Sequence, residues 1–433
     1  MSSGGIGENA LVESGGQTSA LSGALLLSYS VIENGAIVLQ GGSSLSASMF
    51  NSGHMLISAG TATSTTVGSD SDIIVSAGGK AEFSVIDTNG METVSSGGVA
   101  SGTVVSGIGT ERVSSGGIAS GTALNSGGRQ FVYAGGSAVG TIEKVGADLE
   151  VFGGTVIGAV VSSGAGLYVS SGGRASGTVA SSGGNLFVSG GGSSLSGTIL
   201  NGVGFVLSGG VASAMVVSGG GTERVSSGGV ASGTVLSGGR QFVYAGGSAL
   251  GTQEKAGADL EVYGGTVSGA VVSSGGGLYV SSGGASISGT VLSGGAEYVS
   301  SGGTLSGATL SGGLLEIRSG GTAGASQIGF TSAGGTLQLD DSVHFGGMIS
   351  GFGVPGGIDL RDIVFDAGTT LGYSDSGGSG TLTVAHGSST AQILMIGNYV
   401  LANFTKQADG HGGTLITDPP VQSLTGGVFI PHS

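Results

Sequence analysis

The stretch that decides the fold is GTERVSSGGIASGTALNSGGRQFVYAGGSA, residues 109–138. Almost the same phrase, GTERVSSGGVASGTVLSGGRQFVYAGGSA, returns at residues 221–249. A chain repeats a segment this closely when each copy belongs to an array whose neighbours bury each other's apolar surface. The first question is therefore whether the whole chain follows a shorter period.

A period of 18 or 19 residues runs through most of the chain. It is marked by the second glycine of successive xGG corners: Gly79, Gly98, Gly117, Gly136, Gly154, Gly173, Gly191, Gly210, Gly229, Gly247, Gly265, Gly284, Gly303 and Gly321. An apolar residue three or four places before each corner forms a second column: Val75, Val94, Val113, Val132, Val151, Val169, Val188, Leu207, Val225, Val243, Val262, Val280, Val299 and Ile317. A disordered tract has no reason to keep this column, so the pattern predicts ordered, stacked units.

Each unit has the pattern of short strands joined by tight corners. ADLEVF (147–152) and GGLYVSS (276–282) alternate apolar and polar residues with period two, as half-buried strands do. The SGG and SGT corners supply glycine, which turns without steric cost. The sequence therefore predicts an all-β fold, a single-stranded parallel β-helix or solenoid with 18–19-residue rungs and a small β-rich C-terminal cap.

Changes in composition predict four segments. We assign residues 1–30 to an N-terminal cap or lead-in, 31–335 to the β-solenoid, 336–420 to a C-terminal capping or secretion module, and 421–433 to a tail. The third segment contains the strand-like stretches TLTVAH, AQILMIG and GGTLITD. Its simplest role is to cover the unpaired strand edge at the end of a solenoid.

Composition excludes several classes of protein. The 433 residues include 99 Gly but no triplet period, which excludes collagen. The chain has no Cys, so no disulfide stabilises it. It has only 11 Lys and Arg and a net charge of −15, which argues against nucleic acid as a partner. No apolar run reaches the ~18–20 residues of a membrane-spanning helix. No basic region precedes the apolar stretch at 24–32, so we expect export without a Sec signal of that kind.

Motifs that carry chemistry are missing from the sequence. The five histidines have no metal-ligand spacing, and neither a phosphate-binding loop nor a GxSxG nucleophile motif occurs. We therefore predict no catalytic residue, no metal site and no cofactor. Two readings of the C-terminal acids Asp359, Asp362, Asp366 and Asp375 stay open: solvated loop carboxylates, which we favour, or a single calcium site.

Aromatic residues concentrate beside the apolar column. If that column points inward, its immediate neighbours point outward. The outward set comprises Phe131, Tyr133, Phe152, Tyr168, Phe187, Phe242, Tyr244, Tyr263, Tyr279 and Tyr298. It is either a ladder that stabilises the sheet across rungs, or a platform for glycan rings or another rod. We favour the ladder, and the two roles are compatible.

The repeat, represented by SGGVASGTVLSGG at 227–239, resembles the passenger repeats of AIDA-type autotransporter adhesins over about residues 30–335. That resemblance implies a β-helical surface protein acting in adhesion, aggregation or biofilm formation. It also implies candidate glycosylation at Ser114, Ser115, Ser120, Thr122, Ser226, Ser227, Ser232 and Thr234. The stretches GFGVPGGIDL (351–360) and DGHGGTL (409–415) resemble C-terminal modules of alphaproteobacterial type I secreted proteins, and the residues after the repeats are too few for a membrane β-barrel.

Three functions follow from the sequence. We favour an exported, non-catalytic surface or matrix protein whose partners are cell-surface glycans, host or bacterial surfaces, or further copies of itself. The alternatives are a carbohydrate-active β-helix enzyme, such as a polysaccharide lyase or hydrolase, and a self-assembling matrix protein. An enzyme of that kind needs a cleft that holds carboxylates within ~10 Å of each other.

Overall fold

The computed structural model describes residues 1–418, so the tail predicted at 421–433 lies outside the described residues. Its contacts divide the chain into two compact units. The first contains Met1–Val216 and Gly220–Glu223, and the second contains Val217–Gly219 and the chain from Arg224 onward. Both are built from β-strands, and the described part of the chain adds only two short 3-10 helices, Ser342–His344 and Leu401–Asn403.

Each rung consists of three strands with a tight corner after each. A representative rung has Arg129–Tyr133 as its first strand, Ser137–Val139 as its second and Ile142–Glu143 as its third. The next rung begins at Asp148–Phe152, which pairs in parallel with Arg129–Tyr133. Equivalent residues in adjacent rungs are 18 or 19 positions apart in most of the solenoid, and 22 and 21 apart in the last two pairings of the first-strand face. The predicted all-β parallel solenoid is confirmed.

The first strands form one continuous face in each unit. In the first unit they are Gln17–Leu21, Ala36–Gln40, His54–Ser58, Asp72–Ser76, Met91–Val94, Thr110–Val113, Arg129–Tyr133, Asp148–Phe152, Gly166–Ser170, Asn185–Val188 and Val203–Val206. In the second unit they are Arg240–Tyr244, Asp259–Tyr263, Gly277–Ser281, Ala296–Val299, Leu314–Ile317, Thr336–Leu339 and Gly357–Leu360. The strands Val216–Ser218 and Thr222–Val225 contain the boundary between the units.

The second and third strands form the other faces. The second strands of the first unit are Ile6–Glu8, Leu25–Leu27, Ser43–Leu45, Thr61–Thr63, Lys80–Glu82, Val99–Ser101, Ile118–Ser120, Ser137–Val139, Thr155–Ile157, Arg174–Ser176, Ser193–Leu195 and Val211–Ser213. Its third strands are Leu11–Val12, Ser30–Val31, Ser48–Met49, Thr66–Val67, Val85–Ile86, Val104–Val105, Ala123–Leu124, Ile142–Glu143, Val160–Val161, Val179–Ala180 and Thr198–Leu200. The second unit has Val230–Ser232, Val235–Ser237, Ser248–Leu250, Gln253–Glu254, Thr266–Ser268, Val271–Val272, Ala285–Leu292, Thr304–Ser311, Gln327–Phe330 and Met348–Ser350.

The predicted apolar column lies in the interior, with one correction. Val132, Val151, Val169 and Val188 align rung by rung and are completely or almost completely buried. We predicted Leu207 for the next place, but Val206 aligns with Val188 and is buried, whereas Leu207 is half-buried. Corners differ by one residue in length, so counting back from a glycine pair does not reliably identify the inward residue. The inward residue is identified by the alternation of buried and exposed positions along the strand.

The two positions of a glycine corner require glycine for different physical reasons. Gly116 has φ +76°, a conformation that L side chains rarely adopt. Gly117 has no such φ, but a Cβ there would lie 2.2 Å from the carbonyl oxygen of Val94 in the preceding rung. The first glycine therefore turns the chain, and the second allows one rung to approach the backbone of the rung beneath it.

Strand pairing moves both predicted ends of the solenoid. Within the predicted lead-in, Ile6–Glu8 already pairs in parallel with Leu25–Leu27, so rungs begin before residue 31. At the other end, Leu314–Ile317 pairs in parallel with Thr336–Leu339, which pairs in the same way with Gly357–Leu360. Parallel stacking persists beyond residue 335 because these strands keep the apolar alternation after the SGG corners stop.

Antiparallel strands follow the last parallel rung: Thr370–Asp375, Ser379–His386, Ser389–Ile396, Thr405–Ala408 and Thr414–Thr417. Thr414–Thr417 lies antiparallel to Gly357–Leu360, whereas the end of Ser389–Ile396 pairs in parallel with Met348–Ser350. The last parallel strand of the first-strand face and that of the second-strand face thereby each acquire a partner on their outer edge, which removes a template for edge-to-edge aggregation.

Candidate functional site

All ten predicted outward aromatic residues lie on the outer side of the first-strand face. Alternation explains this, since each one neighbours an inward valine such as Val132 or Val243. Five tyrosines are 36–39% exposed, and the other five residues are half-buried. The five exposed residues are Tyr133, Tyr168, Tyr244, Tyr263 and Tyr279.

In the first unit the rings stack from rung to rung. The ring of Phe187 lies 4.8 Å from that of Tyr168 and 4.7 Å from that of Phe205, with interplanar angles of 3° and 4°. Phe205 extends the predicted set, and its alignment with Phe187 was the signal that could have found it. A second pair, Tyr133 and Phe152, has centroids 6.1 Å apart. Stacked rings on adjacent strands stabilise a sheet.

In the second unit the same arrangement is partly repeated. Tyr244 stacks with Phe242 and with Tyr263, at 6.2 and 6.3 Å, and Tyr279 stacks with Tyr298 at 5.1 Å. The Tyr263 hydroxyl donates a hydrogen bond to the Glu261 carboxylate, which raises the pKa of Tyr263 to about 12. The hydroxyl therefore remains protonated at physiological pH.

Two glycines make room for the exposed tyrosines. A Cβ on Gly166 would lie 2.8 Å from Cε2 of Tyr168, and a Cβ on Gly277 would lie 2.8 Å from Cε2 of Tyr279. Each ring thus folds back over the backbone of its own strand. Each of the five exposed tyrosine rings also stacks with at least one neighbouring ring. This geometry favours the ladder over a row of open faces for stacking sugars.

The ladder predicts a graded loss of stability when rings are removed. Phe187→Ala removes two close stacks and is expected to lower the free energy of unfolding by about 2 kcal/mol. Phe152→Ala, which removes one wider stack in the same unit, is expected to cost about half as much. Urea unfolding followed by circular dichroism measures both. Equal losses for the two variants would contradict a role for stacking.

The candidate glycosylation residues divide into accessible and buried hydroxyls. Ser115 and Ser227 are exposed at corners, and Ser114, Ser120, Ser226 and Ser232 are half-buried. Thr122 and Thr234 are buried. The hydroxyl of Thr122 donates a 2.9 Å hydrogen bond to Oε2 of Glu111. These two threonines are corrected from surface to interior positions, because they lie on the inward side of the alternation.

A polar ladder inside the first unit was missed at the sequence level. Glu92, Glu111 and Gln130 align in successive first strands and are completely buried. Gln130 donates from Nε2 to Oε2 of Glu111 at 2.6 Å, and Thr103 donates to Oε2 of Glu92 at 2.8 Å. The alternation around Val113 was the available signal, since a residue two places before an inward valine also points inward.

Burial raises the pKa of these carboxyl groups and so favours their protonated form. Removal from water and the adjacent Glu92 raise the pKa of Glu111 to about 8, and burial also raises the pKa of Glu92. In the second unit, burial raises the pKa of Glu297 to about 7 and that of Glu254 well above the usual range. In the first unit, burial likewise raises the pKa of Glu143. Enclosed in this way, the carboxyls lie out of reach of a polysaccharide substrate.

The C-terminal acids do not converge on one ion. Asp359 forms an ion pair with Arg361 at 3.0 Å, whereas Asp366 pairs with His386 at 3.0 Å. Burial raises the pKa of Asp359 to about 6 despite the arginine. Within residues 1–418, no group of three or more His, Asp or Glu side chains is arranged to hold a metal ion. In the same range, no helix is both long and apolar enough to traverse a bilayer.

The similarity of this chain to known proteins lies in solved structures. No protein-family model matches the chain, and no curated protein matches it. Among solved structures, it is similar to the TibC-catalysed, hyper-glycosylated TibA 55–350 fragment, with 36% identity, a TM-score of 0.54, and coverage of 65% of this chain and 97% of the fragment. A mutant tailspike protein of E. coli bacteriophage HK620 in complex with pentasaccharide matches at 10% identity and a TM-score of 0.24, covering 96% of this chain and 84% of that one.

The TibA fragment is an AIDA-type autotransporter adhesin passenger, which agrees with the resemblance seen in the repeats. The match covers nearly all of that fragment, and its identity is above one third. The chain therefore belongs to the family of AIDA-type β-helical adhesin passengers.

Proposed function

We propose that this chain is an exported bacterial surface or extracellular-matrix protein that acts in adhesion, aggregation or biofilm formation without catalysis. The single observation that carries the proposal is the likeness to the TibA adhesin passenger at 36% identity. The solenoid supports it physically, because repetition of one rung produces an extended, uniform outer surface. Its partners are then surface glycans, the surfaces of host or bacterial cells, or further copies of the chain.

The outward tyrosines are the partner-contacting residues in this proposal. Their rings are fixed by stacking or by glycine, so little side-chain entropy is lost when a partner binds. Their hydroxyls both donate and accept hydrogen bonds, as recognition of polar surfaces requires. The five tyrosines that are more than one third exposed are the best placed, and the half-buried phenylalanines support them.

The accessible serines at the corners and at the ends of the second strands are the glycosylation positions in this proposal. The TibA fragment is hyper-glycosylated through TibC catalysis. The corresponding candidates here are Ser114, Ser115, Ser120, Ser226, Ser227 and Ser232, which are at least partly accessible. Thr122 and Thr234 are not candidates, because their side chains are buried. Sugars at corners would project between faces and leave the stacked tyrosines open.

Beads coated with the full chain test the proposal directly. We expect coated beads to adhere to bacterial or epithelial cells well above albumin-coated beads. A variant with Tyr133, Tyr168, Tyr244, Tyr263 and Tyr279 changed to Ser is expected to adhere several-fold less. Its circular dichroism spectrum must match that of the wild type. Incubation with acidic polysaccharides is expected to yield no new reducing ends, and sustained cleavage would support the enzyme alternative instead.

Two other outcomes would redirect the proposal. If wild-type beads adhere to nothing, the chain is not an adhesin for the cells tested. If the free protein sediments as growing assemblies with rising concentration, and beads bind only one another, the self-assembling matrix protein is the better description.

A further inference from the structure

The second unit contains a concave site where the regular rung pattern ends. Its volume is about 270 Å³, and its lining includes Arg318, Leu339, Asp341, His344 and Phe345, together with the glycine-rich segment 320–324. The site lies between the corner after Leu314–Ile317 and the segment after Thr336–Leu339, where a 3-10 helix replaces the usual glycine corner. It therefore belongs to one rung interval and is not a repeated feature.

The arginine at this site is held in place before any ligand arrives. Its Nε donates a 2.8 Å hydrogen bond to Oε1 of Glu316, and its guanidinium carbon lies 4.6 Å from the centre of the Tyr298 ring. Because only the Nε–H of Arg318 is hydrogen-bonded to Glu316, the four N–H groups on its two Nη atoms remain as donors for other acceptors. Fixing a donor in advance lowers the entropy cost of binding.

An acceptor and an apolar surface complete the site. Asp341 Oδ1 lies 2.7 Å from Nδ1 of His344, which orients the carboxylate while the imidazole stays 80% exposed. The Phe345 ring presses against Gly347, where a Cβ would lie only 2.5 Å from Cζ. The lining therefore contains a group that accepts hydrogen bonds and a group that donates them, and the Phe345 ring adds an apolar surface.

We propose that this cavity binds the terminal sugar of a neutral glycan. A pyranose carries adjacent hydroxyls that donate to a carboxylate and accept from a guanidinium, and it has a C–H face that packs on an aromatic ring. A carboxylate-bearing sugar is disfavoured, because the charge of Arg318 is already offset by its ion pair with Glu316 and the lining carries the Asp341 carboxylate, in a chain of net charge −15. The inference rests on the proposed function as an adhesin, and it names the class of partner for one site.

The test uses the full chain and a panel of methyl glycosides of neutral hexoses, N-acetylhexosamines and hexuronic acids. Saturation-transfer NMR and calorimetry are expected to detect binding of at least one neutral glycoside. His344→Ala and Arg318→Met are each expected to weaken it about tenfold, the size of one lost charge-assisted hydrogen bond. His54→Ala provides the matched control, since His54 forms a similar exposed pair with Asp72 in the first unit.

Several results would overturn the proposal. One is the absence of saturation transfer from every neutral glycoside, and another is equal binding by wild type and His344→Ala. Preference for the hexuronic acids would also overturn it. His344 is exposed, so its replacement is expected to fold even if Arg318→Met does not. Bead adhesion is measured separately. If wild-type beads adhere to cells but no glycoside binds, only the proposal that the cavity binds a sugar is rejected. If wild-type beads do not adhere, the proposed function itself is rejected.

Discussion

Raising the pH from about 5 to about 9 is expected to lower the free energy of unfolding of the wild-type chain by several kcal/mol. Replacement of Glu111 by Gln is expected to remove a large part of that dependence. The reason is the buried ladder of the first unit, where Glu92 and Glu111 align in adjacent strands away from water. Burial disfavours the ionised form of both carboxyl groups and thereby raises the pKa of each.

The sign follows from the two pKa values of Glu111. In the unfolded chain the group ionises near its ordinary value of 4.5, whereas burial and the neighbouring Glu92 raise its pKa to about 8 in the folded chain. Below the unfolded pKa the carboxyl is protonated in both states, and stability is unaffected. Between the two values only the unfolded state loses the proton, so stability falls as the pH rises. The total over this range of about 3.5 pH units is on the order of 5 kcal/mol at 1.4 kcal/mol per unit.

Glutamine is the appropriate replacement because it keeps the shape and the acceptor oxygen. Thr122 and Gln130 both donate to Oε2 of Glu111, and an amide oxygen can accept the same bonds. The variant is therefore expected to match the wild type near pH 5 and to exceed it in stability near pH 9. Adding Glu297→Gln should flatten the curve further, since burial raises that group's pKa to about 7.

Urea unfolding at a series of pH values, followed by circular dichroism, measures this effect. The control is Glu13→Gln, which changes an exposed carboxyl in the same unit and should leave the pH dependence unchanged. If Glu111→Gln is less stable than the wild type at every pH by the same amount, the carboxyl is not protonated in the folded state and the explanation is wrong.

Most of the architecture was predictable from the sequence because the rung repeats. Val132 and its equivalents recur every 18 or 19 residues, and one rule for the inward residue then applies along both units. Exceptions arise where the rule depends on a count of residues. Leu207 was misassigned because corners vary in length, and the solenoid continues to Leu360 because alternation outlasts the SGG corners.

The sites were less predictable for a physical reason. Sequence alternation identifies which side of a strand a residue occupies, and it correctly placed the outward aromatics such as Phe131 and Tyr168. The same alternation also places Glu111 inward. Glutamate is rarely buried in its charged form, so this position is expected only if the carboxyl group can be protonated there. The cavity beside Arg318 depends on a 3-10 helix that has no counterpart in the repeat, so no periodic argument could locate it.

Gly117→Ala is expected to be among the most damaging small substitutions in the chain, costing about 3 kcal/mol or more. The alanine Cβ would lie 2.2 Å from the carbonyl oxygen and 2.6 Å from the carbonyl carbon of Val94. Contact with backbone leaves no flexible side chain to move aside. Relief requires neighbouring rungs to separate, which lengthens the hydrogen bonds from Ser114 to Val94 and from Ile118 to Gly98.

Gly121→Ala in the same rung separates this effect from the conformational one. Gly121 has φ +65°, which disfavours alanine, but a Cβ there meets nothing within 4 Å. Its replacement is expected to cost only about 1–2 kcal/mol, the cost of a left-handed alanine. Urea unfolding of the two variants and the wild type gives the difference. If Gly121→Ala proves as destabilising as Gly117→Ala, the glycine columns are present to turn the chain and not to let rungs approach. The repeat length of 18 or 19 residues would then be set by the turning of the chain at its corners and not by the close approach of adjacent rungs. Residues larger than glycine should then be tolerated at the second glycine position throughout the repeat.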